Sequence, residues 1–266
     1  MTTVHTLASG SSGNAILVCH QDTRLLLDAG ISCRRITAAL QSLGLTPGEL
    51  DAILITHTHS DHIAGLQTML KRCSIPVYAS KAAARDLSYR LPVCGMRLYS
   101  FEPGGTFSVG QCSITTFATS HDAPGSCGYR INTEDGSIGL LTDTGCIPKD
   151  AAETLLGVDT VLLEANHDVE TLESGLYPYY LKQRILGRSG HLSNETAARF
   201  AVALAEAGAS DIILSHLSHE NNTPVMAHRT VERALSAAGL MPALSVAPRD
   251  HLSEPHIVSR RAVCRK

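Results

Sequence analysis

Ala52-Ile53-Leu54-Ile55-Thr56-His57-Thr58-His59-Ser60-Asp61-His62 is a short apolar run that stops abruptly in three histidines and an aspartate. Four apolar residues in a row predict a buried strand, so the polar cluster falls at its carboxyl end, where α/β folds place their chemistry. His57 and His59, two apart in an extended or turning segment, can point at one metal. Asp61 and His62 then turn toward a second position beside it. Imidazole nitrogen with carboxylate oxygen suits zinc, manganese or iron and argues against a thiolate-only structural site.

Other apolar runs stop in the same way. Leu26-Leu27 is followed by Asp28-Ala29-Gly30, Ile138-Gly139-Leu140-Leu141 by Thr142-Asp143-Thr144-Gly145, and the run over 159–163 by Glu164-Ala165-Asn166-His167-Asp168. Ile212-Ile213-Leu214 leads into Ser215-His216-Leu217-Ser218-His219. A carboxylate at the end of a buried strand is costly without partners. Asp28 gains one if it accepts a hydrogen bond from a metal-bound histidine, which also fixes the imidazole tautomer. The alternative is a cap on a helix over 32–43.

Between these runs the chain opens as a meander, with strands over 15–19 and 24–27 behind the loop Gly10-Ser11-Ser12-Gly13-Asn14. That loop either offers N–H groups and hydroxyls to a phosphate, through Ser11, Ser12 and Asn14, or is merely a turn. Helical character over 64–72, a strand over 76–79 and a helix over 80–87 follow, and 104–141 reads as mostly antiparallel strands. Ser193 is placed to cap an alanine-rich helix over 195–207, and Thr223-Pro224 starts a last helix that ends at Gly239. Tyr177, Tyr179 and Tyr180 with Lys182, Arg184 and Arg188 either contact bases and phosphates or belong to an amphipathic helix with a solvated face. One domain is expected over 1–245. Residues 246–266, with Arg249, Arg260, Arg261, Arg265 and Lys266, are expected as a C-terminal strand or tail packed on it.

Composition bounds the rest. In 266 residues, 44% hydrophobic content is enough for a sizeable core. No stretch approaches the roughly 18 apolar residues of a membrane span, and the start lacks a secretory pattern, so a soluble cytoplasmic protein is expected. Eight cysteines without C-x-x-C spacing read as buried, reduced thiols. A net charge of −3, no tryptophan and 4% aromatics give no global attraction to nucleic acid and no stacking platform, so a polynucleotide would have to be held by a local patch and the metals.

Thr56-His57-Thr58-His59-Ser60-Asp61-His62 resembles the H-x-H-x-D-H signature of the metallo-β-lactamase superfamily. Asp28, His121, Asp143 and His216 fall in the order that superfamily uses, and the resemblance reaches to about residue 245. It implies an α/β fold, the αββα sandwich of two mixed β-sheets flanked by helices on their outer faces. It also implies two divalent metal ions, zinc or manganese and conceivably iron. His57, His59 and His121 would hold one, Asp61, His62 and His216 the other, and Asp143 would bridge them. His219 is the rival of His216, and otherwise an outer partner of the ligands. His216 is preferred because the ribonuclease Z branch carries its ligand first in a His-x-Ser triplet, as in His216-Leu217-Ser218.

Glu164-Ala165-Asn166 and Gly190-His191-Leu192-Ser193-Asn194 are similar to two further loops of that branch. The likeness implies that Glu164 and His191 pair beside the metals, assist the leaving group and act with Asp61 in catalysis. Ser193, Asn194 and Arg188 become candidate substrate contacts. Gly-Ser-Ser-Gly-Asn and Gly-His-Leu-Ser-Asn together resemble the YycJ (WalJ) type, which implies a 5′ to 3′ DNA exonuclease in repair, with a hydroxide held between the cations attacking phosphorus. DNA is then the expected partner and no membrane is involved. No long arm for tRNA stands between Leu163 and His191. The competing readings are a small-molecule hydrolase, acting on a cyclic phosphodiester or lactone, and a non-enzymatic metal- or nucleotide-binding regulator.

Overall fold

The computed structural model describes residues 1–260, so Arg261, Cys264, Arg265 and Lys266 lie outside the described residues. The strands are β1 (Thr2–Ala8), β2 (Ala15–His20), β3 (Thr23–Leu27), β4 (Ala52–Leu54), β5 (Val77–Ser80), β6 (Leu98–Phe101), β7 (Thr106–Val109), β8 (Cys112–Ala118), β9 (Cys127–Asn132), β10 (Ser137–Leu141), β11 (Thr160–Glu164), β12 (Asp211–Ser215), β13 (Ala243–Val246) and β14 (His256–Val258). The helices are α1 (Cys33–Ser42), α2 (Ser60–Ile63), α3 (Leu66–Arg72), α4 (Lys81–Arg90), α5 (Lys149–Leu155), α6 (Val169–Ser174), α7 (Tyr179–Leu186), α8 (Asn194–Glu206) and α9 (Pro224–Ala237). They build two seven-stranded sheets, in the order β14-β1-β2-β3-β4-β5-β6 and β13-β12-β11-β10-β9-β8-β7. Each sheet is antiparallel at one end and parallel at the other, with the change at β3 and at β10.

Alternation along the strands explains why the sheets stack. In β3, Leu25 and Leu27 face one way and join Leu54, Tyr129, Ile138, Leu140, Leu162 and Ile213 in the layer between the sheets. Leu26 faces the other way and packs with Ile53, Ile36, Leu40, Leu66 and Leu87 under the first set of helices. Across the molecule Val161, Leu163, Ile212 and Leu214 do the same under α5, α8 and α9. A strand buried on both faces reads as an unbroken apolar run, which is why the central strands were recognisable by composition. The result is helix, sheet, sheet, helix, as the resemblance implied.

Local chemistry places the helix starts as expected. Ser32, Ser80, Ser193 and Thr223 each cap a helix by accepting a hydrogen bond from the backbone N–H three residues on. The helix expected over 64–72 is α3, and a separate short helix, α2, begins ahead of it inside the histidine motif. Strand β13 ends at Val246 and β14 pairs antiparallel with β1, so 246–258 carries the chain from the second sheet to the first. Strand β6, which the sequence did not suggest, is half-exposed and carries no alternation. All seven cysteines among the described residues are free thiols, with Cys33, Cys94, Cys112 and Cys127 buried. Among those residues no helix is long and apolar enough to cross a membrane.

Candidate metal centre

Loops at the carboxyl ends of the parallel strands meet at one rim of the sandwich. The turn after β3 and the loop before β2 are stitched to the histidine motif by backbone bonds, Ala29 N–H to His62 O at 2.8 Å and Asn14 N–H to Asp61 O at 2.8 Å. The approach is so close that a Cβ on Gly30 would collide with the Asp61 carbonyl. Three residues at this rim, Asp28, Asp143 and His216, have φ of 60°, 52° and 56°. A left-handed backbone costs a non-glycine residue on the order of 1–3 kcal/mol. The fold tolerates it three times where it swings an ionisable side chain off a strand end.

The swing makes the ring and carboxylate atoms converge. His57, His59 and His121 offer three nitrogens within 4.8 Å of one another, and Asp61, His62, Asp143 and His216 form a second such group. Asp143 lies between them: its Oδ1 is 4.0 Å from His57 Nε2, 3.7 Å from His121 Nε2 and 3.6 Å from His216 Nε2, and its Oδ2 is 3.2 Å from His62 Nε2. Asp61 Oδ2 is 3.4 Å from both His62 Nε2 and His216 Nε2. His191 and Glu164 join Asp143 and His216 in a third, overlapping group.

Three of the inward-facing imidazoles are oriented from behind. His62 Nδ1–H donates to Asp28 Oδ2 at 2.7 Å, and Asp28 also accepts from Thr56 N–H and Thr56 Oγ1, each at 2.8 Å. Asp28 thus holds the His62 ring, and Ser32 rather than Asp28 caps α1. His216 Nδ1 is 3.2 Å from Glu164 Oε1, and His121 Nδ1 is 3.2 Å from the Gly190 carbonyl. Such bonds orient each ring so that its Nε2 faces the cluster.

The electrostatics fit a cation-binding site. Burial works against charge on Asp143, yet His216, His62 and His57 around it hold its carboxyl well below the usual range. For Asp61 too burial is outweighed, by hydrogen bonds from His216 and His62. The same carboxylates raise His216 to about 10 against its burial, Asp143 first and then Asp61 and Glu164. Burial and the neighbouring His62 push His57 well below its ordinary value, and its buried Nε2 has no hydrogen-bond partner. Buried carboxylates drawing protons onto neighbouring imidazoles, beside an orphaned imidazole nitrogen, are what a donor set for divalent cations looks like without them. The residues present fit two such ions.

Beside this cluster is a cavity of about 170 Å³, lined by His121, His191, Ser11, Asn166 and Ser218 and closed on the outside by α7. Glu164 is fully buried and its Oε1 accepts from His191 Nδ1–H at 2.7 Å, while its Oε2 accepts from Thr144 N–H at 2.9 Å. Of the expected substrate contacts Ser11, Tyr177 and Arg184 line the cavity; Ser12 is exposed on the turn beyond it. Asn14 is buried, exchanges hydrogen bonds with the Gly10 backbone and points Nδ2 at His62 Nε2, 3.1 Å away, so it shapes the loop instead of meeting substrate. Ser193 spends its hydroxyl on the α8 cap, and Asn194 is fully buried in a reciprocal amide pair with Asn222.

His219 is not an outer partner of the ligands: its side chain is 73% exposed and bonds Glu220. Arg188 is exposed, but Lys182 Nζ donates to the Glu173 carbonyl at 2.7 Å and Arg184 pairs with Asp122 at 2.6 Å, so two of the three expected phosphate contacts are already engaged. Asn166 was missed. Its Nδ2 donates to the carbonyl of left-handed His216 at 2.9 Å, and the only sequence signal was its place two residues after Glu164.

Two mixed sheets with this cluster at their rim define a metallo-β-lactamase fold. The metallo-β-lactamase fold protein YhfI from Bacillus subtilis superposes with a TM-score of 0.72 at 18% identity, over 96% of this chain and 100% of that one. The Beta-lactamase superfamily domain matches residues 23–217. The chain is 42% identical over 237 residues to the exodeoxyribonuclease WalJ of Streptococcus pneumoniae, covering 88% of each protein. To the exodeoxyribonuclease YycJ of Bacillus anthracis it is 34% identical over 236 residues, covering 88% of this chain and 89% of that one. The chain therefore belongs to the β-lactamase superfamily, in the family of WalJ and YycJ.

Proposed function

We propose that this protein is a metal-dependent phosphodiester hydrolase, an exodeoxyribonuclease of 5′ to 3′ polarity that serves DNA repair in the cytoplasm. The observation that carries the proposal is the convergence of His57, His59, His121, Asp61, His62, His216 and Asp143 beside the Glu164–His191 pair. The names of its two relatives support DNA as substrate. His57, His59 and His121 would hold one divalent cation and Asp61, His62 and His216 a second, with Asp143 lying between the two sets. Bound there, the two cations supply a water acidified toward neutral pH and withdrawal of charge from a phosphoryl oxygen.

The chain's own residues do the rest. Asp28 and Glu164 hold the His62 and His216 rings from behind, so that neither must reorient during the reaction. Glu164, buried behind His191, holds the proton on Nδ1, and the other ring nitrogen delivers a proton to the departing 3′ oxygen. General acid catalysis of this kind typically contributes about 10²–10⁴-fold.

End-labelled single- and double-stranded DNA, RNA and a cyclic nucleotide, each incubated with manganese- or zinc-loaded protein, distinguish this function from its competitors. Mononucleotides released stepwise from the 5′ end of DNA are the expected product, and chelation should stop their release. Cleavage confined to the cyclic nucleotide would make the protein a small-molecule hydrolase.

A further inference from the structure

Helix α7 has no buried residue, with Tyr179 77% and Tyr180 73% exposed, yet Leu181, Arg184 and Ile185 form the outer wall of the cavity beside His191. A helix with so little apolar burial is held by polar contacts. The strongest of these from its own side chains that reaches the metal rim is Arg184 Nε donating to Asp122 Oδ2 at 2.6 Å. The other oxygen of Asp122 is 3.5 Å from His121 Nε2 and 3.7 Å from His59 Nε2. At its carboxyl end α7 also touches the acid: His191 N–H donates to the Ile185 carbonyl at 3.0 Å.

We propose that Arg184 is a positioning residue for substrate: by its ion pair with Asp122 it holds α7 as the wall of a subsite for one nucleoside at the end of a DNA strand. The inference rests on the nuclease function proposed above. Leu181 and Ile185 give that subsite an apolar face, and Ser11 and Asn166 give it a polar one, the division a base and its sugar require. The cavity is far too small for a duplex, whose grooves alone are about 6–12 Å wide. It adjoins His191, so the group it holds is the one that leaves with the 3′ oxygen. A guanidinium committed to Asp122 is not a phosphate clamp, which separates this role from the one the sequence suggested for Arg184.

The test compares manganese-loaded wild type, R184M, R184K and D122N. Hydrogen exchange of the amides over 177–187 should quicken about fivefold in R184M and D122N, the size of a partly exposed ion pair, with the central strands unchanged. On a single-stranded oligodeoxynucleotide R184M should raise KM about fivefold with kcat within about twofold, and R184K should recover most of the loss. Exchange at the wild-type rate in both R184M and D122N would overturn the proposal, as would a fall in kcat at unchanged KM. Wild-type protein that cleaves no DNA would sink the nuclease function instead, and the exchange rates would still decide whether the ion pair holds α7.

Discussion

Asp143→Ala protein, reloaded with manganese or zinc, should lose turnover on bis-p-nitrophenyl phosphate by more than about a hundredfold, the upper end for removing an outer partner of a metal ligand. Among the described residues Asp143 is the side chain whose oxygens lie within 4.0 Å of nitrogens on His57, His62, His121 and His216 at once. Its loss removes the first-ranked charge that holds His216 at about 10 and raises His62. Relief of the left-handed backbone does not follow, because alanine tolerates φ of 52° no better than aspartate does. Asp143→Asn keeps the shape and the backbone preference while removing the charge, so it should fold normally and lose most of the activity. Full turnover in either variant would mean that the cluster is not the reaction centre.

His191→Ala should separate substrates by leaving group. A 3′ alkoxide departs badly without a proton, so cleavage of DNA should fall by about 10²–10⁴-fold, whereas p-nitrophenolate leaves unaided and should lose far less. Glu164→Gln should resemble it on DNA, because the 2.7 Å bond that orients His191 loses its charge. It should be worse on the activated ester, since Glu164 Oε1 also stands 3.2 Å from His216 Nδ1. An equal loss on both substrates in His191→Ala would mean that the histidine acts on the metals or on binding and not on the leaving oxygen.

Much of the rim was legible because chemistry follows strands. His57, Asp143, Glu164 and His216 each close an apolar run, and a buried strand carries such residues to one edge whatever the intervening loops do. What the sequence did not show depends on contacts between distant segments. Asn14 and Asn194 stand in Gly/Ser-rich or helix-capping stretches that look like surface. They are buried by Asp61 and by Asn222, 47 and 28 residues away. Asp122 carried no signal of its own, and the Arg184 that pairs with it lies 62 residues on. His219 was the rival of the preferred His216; it is exposed, while His216 is buried at a left-handed turn. The edge strands β6 and β13 were invisible for a simpler reason: half-exposed on short stretches, they need no hydrophobic pattern.

Whether these seven side chains cage two cations is tested most directly by anomalous scattering from crystals of the zinc- or manganese-loaded protein. Two peaks per chain are predicted, one among His57, His59 and His121, the other among Asp61, His62 and His216, with Asp143 reaching both. A single peak, or metal bound anywhere else in protein that still cleaves phosphodiesters, would contradict it.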